Sequence, residues 1–242
     1  MSNDTPCLVV FCRWPRAGVG KQRLARDIGV DAAARVAAAL WDCAREDIAA
    51  WVGDVALAVT DSDEIGWAED QARDLRVSPA GVHATRTNTM RLVQVLVQPL
   101  GNLGERIMGV DAALRAVGYQ KLVFIGSDAP ALDQELLDAI LAMLQHADVA
   151  LSPADDGGVV AMAARQPWPL LTDLPWSSHL LGCALRDRCS SAGQGVSMTR
   201  GTFDVDDLAS LRQAGTSLRD DARPARRRLV ALARDLVKAE VP

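Results

Sequence analysis

Aromatic side chains are scarce in this sequence. Only 4% of its 242 residues are Phe, Trp or Tyr, with a single Tyr, so Ala, Leu and Val must fill the interior. No apolar run approaches the ~18 residues of a membrane-spanning helix, which argues against a spanning segment. The N-terminal stretch MSNDTPCLVV has no basic region ahead of its apolar residues and does not read as a secretory signal. An excess of positive charge is also missing. The 26 Lys and Arg face 31 Asp and Glu, for a net charge of −5, which argues against a nucleic-acid partner. Five cysteines, an odd number with no C-x-x-C spacing, suggest neither a disulfide framework nor a structural zinc site. They are expected to be reduced and mostly buried, in a cytoplasmic protein. His83, His146 and His179 show no metal-ligand spacing.

What is present suits one large α/β domain, with 49% hydrophobic residues to build its core. Runs at 7–13, 54–60, 91–98 and 121–127 read as strands, those at 7–13 and 121–127 as buried ones. Helical patterns lie between and after them at 31–51, 63–74, 101–118 and from Gln134 onward. In the first of these, Val36, Leu40, Cys43, Asp47 and Trp51 share a face, with Asp47 the polar exception. This alternation predicts a parallel sheet with right-handed crossovers. DVALSP (148–153) and GGVVAMAA (157–164) read as strands joined by an Asp-Gly turn. A helix at 178–192, a short strand at GVSMT, and helices at 206–214 and 220–240 complete the reading. The stretch 76–90 is irregular, a short strand or a loop. No repeat or low-complexity linker divides the chain, so a single domain over 1–242 is expected.

In such sheets ligands bind at the carboxyl ends of the strands, and the distinctive segments fall there. FCRWPRAGVGKQRLARDIG (11–29) follows the first strand. A P-loop would need a glycine where Pro15 stands and a hydroxyl where Gln22 stands, so the turn is of another kind. In IGSDAPALD (125–133), Asp128 ends a strand, where a carboxylate either holds a divalent cation or caps a turn; Asp133 can cap the next helix. In SPADDGGVV (152–160), Asp155 or Asp156 can bind a hydroxyl or act as a base, and the paired glycines exceed what a hairpin turn needs. FDVDDLASL (203–211) sets Asp204 and Asp206 on one side of an extended segment, as a second metal ligand or, with Asp207, as a helix cap. GNLGERI (101–107) offers a helix N-terminus and Arg106 to an anion. In LPWSSHLL (174–181), Trp176 can stack on a ring or join the core, and Ser177 or Ser178 can cap a helix. The basic run RPARRR (223–228) reads as a solvated face.

The order of these blocks is more specific than any one of them. From residue 9 to about 211 the sequence resembles a family of glycosyltransferase-A-like proteins known as DUF2064, the radical-SAM/selenodomain-associated transferase group. The family pattern runs P-x-x-G-x-x-K-T-R-L, G-D-L-G-E-R, G-S-D-x-P-x-L, P-A-x-D-G-G-Y, W-S-T and D-V-D-T. Here Gln22, Asn102, Val159, Ser178 and Asp207 depart from it.

The resemblance implies a Rossmann-like glycosyltransferase-A fold: a mostly parallel central sheet flanked by helices, with a smaller mixed-sheet half for the acceptor. The nucleotide-binding half would cover about 1–130, the acceptor half about 131–218, and a C-terminal helix about 220–240. It implies phosphate contacts from Lys21 and Arg23, joined by Arg13, Gly18 and Arg106. It implies a Mg²⁺ or Mn²⁺ ion at Asp128 and Asp206, Asp156 as catalytic group, and Gly157, Gly158 and Trp176 on the acceptor side. The expected partners are a nucleotide or nucleotide-sugar donor and a small-molecule acceptor, with no membrane span and with a homodimer left open. A sugar transferase is the first reading. The opening turn also resembles that of 2-phospholactate and molybdenum-cofactor guanylyltransferases, so nucleotidyl transfer is the second. A non-catalytic nucleotide-binding protein is the third.

Overall fold

The computed structural model describes residues 4–76 and 91–239. Among these residues seven strands form one sheet: β1 (Cys7–Cys12), β2 (Asp54–Val59), β3 (Val93–Val97), β4 (Leu122–Gly126), β5 (Val149–Pro153), β6 (Val159–Ala164) and β7 (Val196–Met198). Their order is β3-β2-β1-β4-β6-β5-β7. β1 pairs in parallel with β2 and β4, β2 with β3, and β5 with β7, whereas β6 is antiparallel to β4 and β5. The sheet is thus mostly parallel, as expected, and becomes mixed where the β5–β6 hairpin joins. Of the expected irregular stretch 76–90, residues 77–90 lie outside the described residues.

The helices are α1 (Gln22–Ile28), α2 (Val30–Ala50), α3 (Ile65–Arg76), α4 (Leu103–Ala116), α5 (Gln134–Met143), α6 (Leu181–Ser191), α7 (Leu208–Ser217) and α8 (Pro224–Ala239). Side chains at the helix starts satisfy N–H groups that have no partner within the helix. Asn102 accepts from Glu105 N–H at 3.1 Å, Asp133 from Leu136 N–H at 2.8 Å and Asp207 from Ser210 N–H at 2.8 Å. Asn102, a departure from the family's aspartate, therefore still caps its helix. α1 was not expected: the glycine-rich turn ends at Lys21, and Leu24 then buries one face of a short helix. No helix among the described residues is long and apolar enough to cross a membrane.

Both faces of the sheet are covered. Leu8, Val10 and Cys12 of β1 pack beneath α2, α3 and α5, whereas Cys7 and Val9 face α4 and α6, the alternation a strand requires. All five cysteines are free, and Cys183 alone is exposed. A third apolar cluster lies beside the sheet, where α1, α2, α7 and α8 meet around Leu40, Val205, Leu211 and Leu229.

That third cluster contains a charged centre. Arg226 of α8 is fully buried, contrary to the solvated face expected for RPARRR. Its guanidinium donates to both carboxylate oxygens of Asp47 at 2.6 Å, to Glu46 Oε2 at 3.1 Å and to the carbonyls of Pro130 and Leu132 at 3.1 and 3.2 Å. Arg223, one turn earlier, donates to Asp47 at 3.0 Å and to the Leu132 carbonyl at 2.8 Å. The apolar period of α2 puts Asp47 on its buried face, and α8 supplies the counter-charge. Arg226→Met is expected to destabilise the protein by roughly 3–5 kcal/mol, because it strips a buried carboxylate of its main partner. Combining it with Asp47→Leu should restore much of that loss. Denaturant unfolding of the three variants checks this, and a single-variant cost below about 1 kcal/mol, the value of an exposed pair, would contradict it.

Candidate active site

After β1 the chain builds β2 and β3 on one side, then returns to place β4 on the other. A crevice opens at such a switch point, beyond the carboxyl ends of the two central strands. Lys21 lies on the turn after β1 with φ 47, a left-handed backbone, immediately before α1. Its Nζ donates to Asp128 Oδ2 at 2.9 Å and to Asp206 Oδ1 at 2.8 Å. Arg23 is more exposed and lies 4.0 Å from Asp206 Oδ2.

Two local features aim the carboxylates. Asp128 folds back over Gly126, where a Cβ would sit 2.4 Å from Asp128 Oδ1, so any larger residue there would displace the carboxylate. Val205 N–H donates to the Asp128 carbonyl at 2.9 Å, which draws the segment 203–206 alongside the end of β4. Phe203 and Val205 are buried in the third apolar cluster, so alternation turns Asp204 and Asp206 the other way. One carboxylate oxygen from each of Asp128, Asp204 and Asp206 lies within 4.8 Å of the others. Hard oxygen donors grouped in this way suit Mg²⁺ or Mn²⁺.

Charge coupling follows from this crowding. Burial works against the charge of Lys21, but Asp128 and then Asp206 outweigh it and hold the ammonium pKa above its ordinary value. Burial also works to raise the Asp128 carboxyl, yet the Lys21 ammonium holds it below the usual carboxylate range. Asp204 accepts no hydrogen bond from Lys21, whose charge lowers its pKa less than burial and its acidic neighbours raise it. Burial, followed by the charges of Asp128 and Asp206, pushes it up to about 6.

Two clefts meet at this cluster, and Asp128 and Asp206 line both. The first, of about 290 Å³, is bounded by Arg13, Trp14, Lys21, Arg106 and Ser127. The second, of about 380 Å³, contains Arg23, Asp156, Gly158, Trp176, Ser177 and Asp204. Glu64, which stands out in no sequence motif, fixes the loop between β1 and α1. It is buried and accepts from Trp14 N–H at 3.0 Å and Thr60 N–H at 3.1 Å. Arg16 lies over the Trp14 ring at 4.6 Å and 3.7 Å from Glu64. Arg106 is oriented by donating its Nε–H to the Gly101 carbonyl at 2.9 Å.

The remaining expected residues divide. Of the two adjacent acids, Asp155 is held by Gln213 at 2.8 Å, and Asp156 lies in the cleft. Asp156 Oδ1 accepts from Gly158 N–H at 2.9 Å. Gly157 does not line the cleft: at φ 88, a Cβ would sit 2.1 Å from the His179 carbonyl oxygen. Its small size serves the packing of the turn against the segment before α6. Gly18 is exposed and lies outside both clefts, where φ 77 suits a turn. Trp176 lines the second cleft while its Nε1–H donates to the Leu171 carbonyl at 2.9 Å. Neither serine caps α6, whose N-cap Leu180 offers no side-chain acceptor; Ser178 instead accepts from Leu180 N–H at 3.2 Å in the preceding turn.

A family profile described as uncharacterised protein conserved in bacteria (DUF2064) matches residues 48–178. No curated protein matches the sequence significantly. Among solved structures, a Desulfovibrio desulfuricans G20 protein provisionally named a nucleotide-diphospho-sugar transferase is similar with TM-score 0.75 and 23% identity, over 98% of each chain. A cytidylyltransferase from Leptospira borgpetersenii gives TM-score 0.56 and 11% identity over 98% of this chain and 94% of that one. The 4-diphosphocytidyl-2C-methyl-D-erythritol synthase of Anaerococcus prevotii gives 0.51 and 11% over 89% and 99%. These likenesses show a shared glycosyltransferase-A-like fold.

The raised Asp204 carboxyl sets a pH dependence of stability. Its pKa of about 6 in the folded chain exceeds the ordinary value of about 3.9, so between these values the folded state binds the extra proton. This contribution is fully present below about pH 4 and is lost as the pH rises through about 6. Without added metal, Asp204→Asn is therefore expected to melt several degrees above the parent protein at neutral pH, with the difference closing as the pH falls toward 4. Melting curves across that range check the sign.

Proposed function

The chain belongs to the DUF2064 family, and from that premise we propose that it is a metal-dependent transferase carrying a sugar from a nucleotide-activated donor to a small-molecule acceptor. The observation that carries this reading is the cluster of Asp128, Asp204 and Asp206, with Lys21 bridging Asp128 and Asp206, where two clefts meet beyond the central strands. A Mg²⁺ or Mn²⁺ ion held by these carboxylates would supply Lewis-acid stabilisation to a departing diphosphate. Arg13 and Arg106 give the first cleft the positive charge that donor phosphates need, and Lys21 and Arg23 add to it where the clefts join. Asp156, one oxygen fixed by Gly158 N–H, is the proton acceptor in the second cleft. The acceptor hydroxyl oxygen bonds to the anomeric carbon as that carbon's bond to the diphosphate oxygen breaks. The electron pair leaves with the nucleoside diphosphate, and the hydroxyl proton passes to Asp156 and then to solvent.

One observation favours a second reading, nucleotidyl transfer. Arg13, Lys21 and Arg106 together line the first cleft, a charge that also suits a triphosphate. The acceptor oxygen would then attack the α-phosphorus, and pyrophosphate would leave. The product decides: nucleoside diphosphate supports the first reading and pyrophosphate the second, while nucleotide binding with neither product leaves a binding protein.

Two variants test the site. Asp128→Asn is expected to weaken Mn²⁺-dependent binding of UDP, GDP or CTP at least tenfold, about 1.4 kcal/mol, while the fold survives. Calorimetry with and without Mn²⁺ measures this, and unchanged metal-dependent binding by the variant would remove the assignment. Lys21→Met should act in opposite directions on two ligands. Mn²⁺ alone should bind more tightly, because the competing ammonium is gone from Asp128 and Asp206, and the nucleotide should bind more weakly.

A further inference from the structure

We propose that the acceptor is an uncharged hydroxy compound with an apolar body, aromatic or branched alkyl, seated in the second cleft with its hydroxyl toward the carboxylate cluster. This rests on the transferase reading and names its substrate class. The register of the sheet gives the cleft its direction. Asp128 lies just beyond the carboxyl end of β4, whereas Phe124, four residues earlier, pairs across the sheet with Met162 of β6. Both residues line the second cleft and belong to the apolar layer beneath α4 and α6. The cleft therefore runs from the acidic strand ends down one face of the sheet. Leu103 and Ile107 of α4 and Val159 of β6 complete its apolar part.

Charge narrows the choice. Among the described residues, four carboxylates line the cleft, those of Asp128, Asp156, Asp204 and Asp206, and Arg23 is the sole Lys or Arg, already beside Asp206. At the apolar end, a carboxylate or phosphate on the acceptor would meet hydrocarbon, with no Lys or Arg among the described residues there to compensate its desolvation. A polyhydroxylated acceptor would bury hydroxyls against Leu103, Val159 and Met162 without partners. A cleft of about 380 Å³ falls within the range of small-molecule sites. At the polar end, Ser177 is held at φ 62. That left-handed backbone is costly for a residue with a side chain, and such strain persists where a site fixes the position of a group.

The test is calorimetric titration of the full chain with 2-naphthol, 2-naphthoate and glucose, alongside a nucleotide-plus-Mn²⁺ titration. The naphthol is expected to bind at least tenfold more tightly than its anionic counterpart, with no binding of glucose. Val159→Asp places a charge on the cleft wall at a half-buried position. Val159→Trp fills the same space without charge. Either variant should lose 2-naphthol binding and keep nucleotide binding, which also reports that it is folded. Equal binding of the naphthoate, preference for glucose, or naphthol binding unaffected in a folded variant would each overturn the proposal. If the parent protein binds no nucleotide with Mn²⁺ yet takes 2-naphthol in this cleft, the transferase reading fails and the ligand class of the cleft stands.

Discussion

The guanidinium of Arg226 is a full charge removed from water, and such a charge is tolerated only where its hydrogen bonds are met. Its partners come from two separate places: α2, through Glu46 and Asp47, and the loop after β4, through the carbonyls of Pro130 and Leu132. α8 can dock against both only in the position where all are satisfied together. That docking closes the apolar cluster formed by α1, α2, α7 and α8. It also fixes the chain just beyond Asp128. The same cluster buries Leu24, three residues after Lys21, and Val205, between Asp204 and Asp206. The three segments that bring charge to the strand ends are thus anchored to one helical assembly built around one ion pair.

The two ion-paired centres differ in a way that matches their surroundings. Arg226 presents a rigid planar fork, and Asp47 receives it with both oxygens at 2.6 Å, a geometry that holds a structure in place. Lys21 is a compact charge on a flexible stem, at the junction of two clefts, bridging Asp128 and Asp206. The carboxylates beside it are aimed by Gly126, Val205 and the alternation of residues 203–206 as well as by the ammonium. Asp204 completes the acidic group yet receives no hydrogen bond from Lys21, and so carries the cost of crowding in its raised pKa. The clefts diverge from this group. One is lined by Arg13 and Arg106, and the other descends over the apolar face toward Phe124 and Met162.

Much of this was written in local sequence. The apolar runs from Cys7, Asp54, Leu122 and Val149 became strands, because continuous burial on both faces demands that composition. Asp133 and Asp207 cap helices as their positions suggested, and the parity of Phe203, Asp204, Val205 and Asp206 separated a buried side from a polar one. The succession of motifs from Lys21 to Asp206 identified the family and with it the fold. These are short-range properties, set by spacing along a few residues and by the backbone's own hydrogen-bonding needs.

Tertiary structure alone decided the pairings. Lys21 meets Asp128 across 107 residues and Asp206 across 185, and no local period encodes such contacts. Arg223 and Arg226 look like an exposed basic run until α2 supplies the buried carboxylate that offsets their desolvation. Glu64 resembles any acid near a helix start, yet it closes the loop after β1. Gly157 looks like room for a ligand, but the His179 carbonyl occupies the space beside it. The sequence by itself determined which segments become strands and helices and which fold they build. Which charges meet, and which glycines face a cleft, was decided only when distant segments packed, because Coulomb attraction, desolvation and steric contact depend on distance in space rather than on position along the chain.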